Sequence, residues 1–140
     1  MKISDEQARQ ELKAWYERKK FSKTKLKAVA FAENPDSPTA EDILADAISE
    51  GALVIGDDGS LTLQLEFPTL DGEGISGLKF KARMTLGEKT EATKGLKPDD
   101  GEGRLLAYIA KLTNQPLGVI KALDAGVDFE RAGAIAVYFL

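Results

Sequence analysis

The sequence contains no cysteine and no histidine. Without cysteine there is no disulfide framework and no thiolate ligand for zinc. Without histidine, the commonest metal ligand and the commonest neutral-pH general base are missing. Together the two absences exclude a Ser-His-Asp triad, a Cys-His pair and a zinc site built on those ligands. A carboxylate-only site remains open to the sequence. Long apolar runs are missing too: no window approaches the ~20 apolar residues of a membrane span, and the N-terminus carries no apolar leader. A soluble, intracellular protein is expected.

The 140 residues fit a single domain, 1–140, with enough chain to bury a core. Net charge is −4 but unevenly spread. Residues 1–27 hold nine Lys/Arg against four Asp/Glu, and residues 28–140 hold ten against nineteen. The pattern is a basic arm on an acidic body. Arg18, Lys19, Lys20, Lys23, Lys25 and Lys27 crowd its last ten residues. Such a cluster can release phosphate counterions from a nucleic acid. With an acidic chain and only Phe21 interleaved, neutralisation of an acidic surface is favoured. The arm is therefore expected to act in head-to-tail self-association, giving a homo-oligomer, and nucleic acid is the disfavoured partner.

The organising stretch is LTLQLEFPTLDGEGISGLKFKARMT, Leu61 to Thr85. Leu61, Leu63, Leu65 and Phe67 alternate with Thr62, Gln64 and Glu66. Beyond a Gly/Asp-rich connection, Leu78, Phe80, Ala82 and Met84 alternate with Lys79, Lys81 and Arg83. Both runs have the period of a half-buried strand. Ala52–Ile55 adds a third strand across a turn containing Asp58-Gly59. The reading is an α+β fold, a three-stranded antiparallel meander over 52–86 covered by N-terminal and C-terminal helices.

The rest of the chain supplies those covers. Ser4 and Gln7 form a capping-box pattern before a helix over about 5–20, whose stripe is Ala8, Leu12, Trp15, Tyr16 and Lys19. Trp15 and Tyr16 are expected to pack this helix on the body. Residues 25–33 fit a helix or a strand, with the helix preferred. Ser37 as cap and Pro38 at the first turn start a helix with Ile43, Leu44, Ala47 and Ile48 inward, ended by Gly51. Segment 1–51 is thus helical, 87–103 reads as a mobile polar loop, and 104–140 as C-terminal helices. In that last part Leu105, Leu106, Ile109 and Leu112 form one stripe up to Thr113-Asn114-Gln115. Pro116 opens a short helix with Leu117, Ile120 and Leu123. Asp128 caps a third with Phe129, Ala132, Ile135, Ala136 and Phe139 inward, and Gly133 permits a close approach.

Several patterns resemble ligand sites without meeting their requirements. Gly72, Gly74 and Gly77 have dinucleotide-loop spacing, but a strand pattern follows where a helix must begin. Gly87-Glu88-Lys89-Thr90 lacks the phosphate-loop Gly-Lys-Thr triplet. The Asp57-Asp58 turn lacks the ligand count of a calcium loop. Asp99, Asp100 and Glu102 are the best carboxylate cluster, and helix-dipole partners are the favoured reading. No cofactor, metal or catalytic residue is assigned. Ile120, Tyr138, Phe139 and Leu140 are more apolar surface than one small sheet needs, and surplus apolar surface marks a partner-binding site.

The strand ending in Phe67-Pro68, then Leu70-Asp71-Gly72 and Ile75, then Leu78–Thr85 with Gly87, is similar to the tail assembly chaperones of long-tailed bacteriophages. The run LLAYIAKLTNQPLGVIKALDAGVDFERAGAIAVYFL resembles the same family, with its LT-x-x-P, VI-x-x-LD and final D-F helix. The similarity covers about Leu61–Leu140. Residues 1–50 look like an added or divergent N-terminal segment, and Arg83-Met84-Thr85-Leu86 stands where the family often has an Arg-Pro ending. The resemblance implies a non-enzymatic protein of the host cell cytoplasm, absent from the mature virion. It would bind the tape measure protein at the partner surface above and recruit tail tube protein during tail morphogenesis. Such chaperones are often also made in a longer frameshifted form. The alternative is a nucleic-acid-associated regulator using 18–27, and a carboxylate-metal hydrolase comes last.

Overall fold

Three strands form one antiparallel sheet in the order β1 (Leu53–Ile55), β2 (Leu61–Gln64) and β3 (Gly77–Phe80). The computed structural model describes residues 2–21, 26, 38–69 and 74–139. Pairing sets Leu53 opposite Leu63 and Leu63 opposite Leu78, and it sets Ile55 opposite Leu61 and Leu61 opposite Phe80. These two rows form the inner face, while Val54, Thr62 and Lys79 form an outer row in solvent. The expected α+β meander is the observed one. Its β1–β2 turn places Gly59 at φ 86°, where a side chain is strained, and Asp58 accepts from both the Ser60 amide and hydroxyl.

Helices cover the inner face. α1 (Asp5–Lys19) starts where the Ser4 hydroxyl accepts from the Gln7 amide at 3.1 Å, and it stops at Lys20 in the left-handed conformation. Its buried stripe is Ala8, Leu12, Trp15 and Lys19. α2 (Ala40–Ser49) begins later than the Ser37-Pro38 pattern predicts. Thr39 and Asp42 cap each other reciprocally, each bond 3.1 Å, so the capping box outcompetes the proline signal. Arg9 bridges to Asp42 at 3.0 Å and ties α1 to α2. The helix expected over 25–33 and the break at Asn34–Ser37 lie outside the described residues, apart from helical Leu26.

The polar stretch 87–103 is not a loop throughout. α3 (Leu86–Thr93) occupies its first half, started by a reciprocal Thr85–Glu88 capping box. Lys81 also binds Glu88, and these contacts hold the Glu88 carboxyl down to about 2, Lys81 contributing most. α4 (Gly101–Thr113) is capped by Asp100 and ends at Asn114, φ 54°. α5 (Leu117–Lys121) follows Pro116, and α6 (Asp128–Ala136) runs on into a 3-10 turn, Val137–Phe139. A methyl group at Gly133 would stand 3.3 Å from the Leu105 side chain, which explains the glycine in α6. Buried side chains of α1, α2, the sheet, α4, α5 and α6 join in one core.

Asp128 is not the cap of α6. The N-cap position is Val127, which has no side-chain cap bond, and the Asp124 carboxylate accepts from the Val127 amide at 2.7 Å in the turn before the helix. Asp128 is fully buried, and its two oxygens accept from the Glu66 and Phe67 amides at 2.7 and 3.0 Å. Those amides are thereby withdrawn from sheet pairing, so β2 ends early. Phe67, expected on the inner face, is instead 53 % exposed. β3 ends for a similar reason: the Lys81 amide donates to Leu112 of α4 at 2.9 Å. Arg131 sits beside Asp128 on α6 and reaches Glu50 at 2.8 Å and Glu66 at 3.7 Å.

Removing Asp128 leaves two amides without their charged acceptor, so Asp128→Ala should cost roughly 2–4 kcal/mol. Asp124→Ala should cost about 1 kcal/mol, the value of one ordinary hydrogen bond. Urea denaturation of the two variants checks this; equal losses, or a larger loss for Asp124→Ala, would contradict the assignment.

Candidate functional site

The residues expected to form a partner surface lie inside the molecule. Ile120, Tyr138 and Phe139 are 1 %, 1 % and 8 % exposed, and Leu140 lies outside the described residues. The 3-10 turn swings Tyr138 and Phe139 under α1. Trp15 meets Tyr138 edge-on at 5.4 Å between centroids and Phe139 at 6.3 Å. Phe21 closes the other side, 5.7 Å from Trp15 and 5.5 Å from Phe139. Trp15 donates its indole N–H to the Gly59 carbonyl at 2.9 Å, so the cluster is also pinned to the hairpin turn. What looks surplus in sequence is consumed by the aromatic side of α1. The Tyr138 hydroxyl is buried with no hydrogen-bond partner, and burial drives its pKa upward.

The basic arm is also divided. Lys19 is buried, donating to the Ala82 carbonyl with its ammonium 6.0 Å from the Trp15 ring centre. Its pKa is pushed down to about 8, by burial first and then by Arg83 and Arg18, with Asp58 opposing. Lys19 is thus a core residue and is unavailable for self-association. Arg18 donates to the Asp57 carbonyl at 3.3 Å, and Lys20 is the turn that ends α1. Lys23, Lys25 and Lys27 lie outside the described residues. Among the described residues no group of three or more Asp/Glu could hold a metal, and no helix is long and apolar enough to cross a membrane. Gly77 opens β3, so the glycine spacing has no helix behind it.

Apolar surface does exist elsewhere. α3, α4 and the start of α5 enclose a groove of about 460 Å³, with Ala92, Ala107 and Ala110 as small walls. Lys111, Asn114 and Gln115 supply its polar margin, and Pro116 and Leu117 its far end. Leu117 is 43 % exposed there. Lys111 pairs with Glu91 at 3.0 Å, joining α4 to α3 beside the groove. Sequence reasoning misses this surface because it depends on α3 being a helix. The Thr85-x-x-Glu88 pattern is the signal that could have found it.

Comparison of the chain with protein-family models, curated proteins and solved structures gives no match.

Two outcomes follow. Tyr138→Ala should cost roughly 3–5 kcal/mol as a large-to-small core change, whereas Tyr138→Phe should be neutral or stabilising because it removes an unpartnered hydroxyl. Thermal melts separate the two, and a Tyr138→Ala protein as stable as wild type would return this residue to the surface.

For Lys19, the unfolded chain binds more protons than the folded one between pH 8 and about 10.4. Its contribution to stability is therefore smallest below pH 8 and grows as pH rises through that window. Lys19→Met should abolish this rise relative to wild type in urea titrations at pH 7.5 and 9.5; an unchanged pH slope would refute it.

Proposed function

We propose that this chain is a tail assembly chaperone of the kind made by long-tailed bacteriophages. In this reading it is not an enzyme. It acts in the host cell cytoplasm, stays out of the mature virion, holds apolar helical segments of the tape measure protein and recruits tail tube protein. The observation that carries the reading is the alanine-walled groove between α3, α4 and α5, opening at exposed Leu117. Helices pack by setting side-chain ridges into grooves, and small walls admit a ridge closely. An amphipathic client helix placing anchors at helical spacing suits such a groove. The sequence resemblance over Leu61–Leu140 supports the same family. The client surface moves from Tyr138 and Phe139, which are core, to Leu117 and its alanine neighbours. The regulator alternative is weakened because Lys19 is buried and Arg18 is engaged with the hairpin turn.

Leu117→Glu puts a charge at the groove mouth on a partly exposed position, so stability should stay within about 0.5 kcal/mol of wild type. Co-purification with helical fragments of the tape measure protein should fall at least tenfold. Wild-type protein that fails to retain any such fragment, or a variant that retains them undiminished, would overturn the proposal.

A further inference from the structure

The two edges of the sheet are finished differently. Antiparallel pairing alternates between residues whose backbone groups face the neighbouring strand and residues whose groups face away. The Gln64 amide donates to the Ala52 carbonyl, and the Gly56 amide donates to the Ser60 carbonyl. Ala52 and Gly56 therefore face β2, as does Val54 between them. Leu53 and Ile55 turn their N–H and C=O groups outward. On the opposite edge the same counting turns Gly77 and Lys79 outward, with Lys81 next in phase. There the Lys81 amide finds Leu112 of α4, and Lys79 and Lys81 carry the positive charges that discourage strand addition. β1 has neither protection. It is Leu-Val-Ile, without lysine, proline or bulge, and Val54 is 58 % exposed on the outer face. Between it and the flank of α1 formed by Gln7, Glu11, Ala14 and Arg18 runs a groove of about 690 Å³, wide enough to admit another strand.

We infer that β1 pairs with β1 of a second copy of this chain, giving a twofold dimer with a continuous six-stranded sheet. The strand is self-complementary. A twofold axis through Val54 sets Leu53 opposite Ile55 of the partner, and Ile55 opposite the partner's Leu53. Both pairs are composed of outward-facing residues, so all four outward N–H and C=O groups on each copy find partners. The central pair, Val54 with its symmetry mate, is the non-hydrogen-bonded kind, in which side chains come closest. Two exposed valines then cover one another. This contact is isologous and closes at two copies, unlike the head-to-tail contact suggested by the charge asymmetry.

Because the chain has no cysteine, one engineered thiol reports the axis directly. Val54→Cys should form an intermolecular disulfide under mild oxidation, while a cysteine at exposed Lys121 should not. Sedimentation velocity on wild type at tens of micromolar should show dimer, and Val54→Lys should shift it at least tenfold toward monomer with an unchanged melting temperature. Should Val54→Lys fail to fold, the Val54→Cys cross-link still decides. A wild-type monomer at 200 μM, a dimer indifferent to Val54→Lys, or no Val54→Cys cross-link would each overturn the pairing. So would an edge that accepts only an extended segment of another protein.

Discussion

A single buried carboxylate fixes where this sheet stops and where the last helix lies. Asp128 takes two consecutive amides, Glu66 and Phe67, that strand β2 would otherwise offer to its neighbours. The charge-assisted bonds compensate for burying the carboxylate, and without them the site would cost several kcal/mol. Once α6 is pinned at its first residue, the rest of it is aimed. Arg131 meets Glu50 and Glu66, Gly133 meets Leu105, and the following 3-10 turn delivers Tyr138 and Phe139 to Trp15.

Charge and greasiness are each found where composition does not put them. Lys19 belongs to a cationic cluster in sequence, yet its helical phase with Ala8, Leu12 and Trp15 carries it inside. Its long aliphatic stem lies among apolar groups, and its amine reaches a backbone carbonyl. Phe67 belongs to an apolar alternation, yet the withdrawal of its amide carries it outside. Local phase and one long-range bond outweigh residue type in both cases.

Sequence periodicity was enough for the meander, because one-residue alternation in Leu61–Leu65 and Leu78–Phe80 leaves no second register with a buried face. The Asp58-Gly59 turn and the Gly133 contact were legible for steric reasons that act locally. Asp128 was not, since an aspartate before a helix reads as a cap and its partners lie some sixty residues away. Tyr138 and Phe139 read as surplus because the area of a small sheet does not include the aromatic flank of α1, which buries them. The groove is hidden in the sequence because the polar composition between Gly87 and Gly103 masks a helix that a four-residue capping pattern starts.

The packing of Trp15 against Tyr138 and Phe139 has a consequence for synthesis of the chain. The first helix emerges from the ribosome long before the residues that bury its tryptophan. At the usual elongation rate that interval is on the order of ten seconds. In that interval the apolar stripe of α1 has α2 and the early hairpin to lean on, and the contacts that complete the core are among the most distant in sequence. Such a topology delays the final step of folding until Tyr138 and Phe139 have been made. The aromatic side of α1, with Trp15, is accordingly the part of the helix that waits longest for its cover.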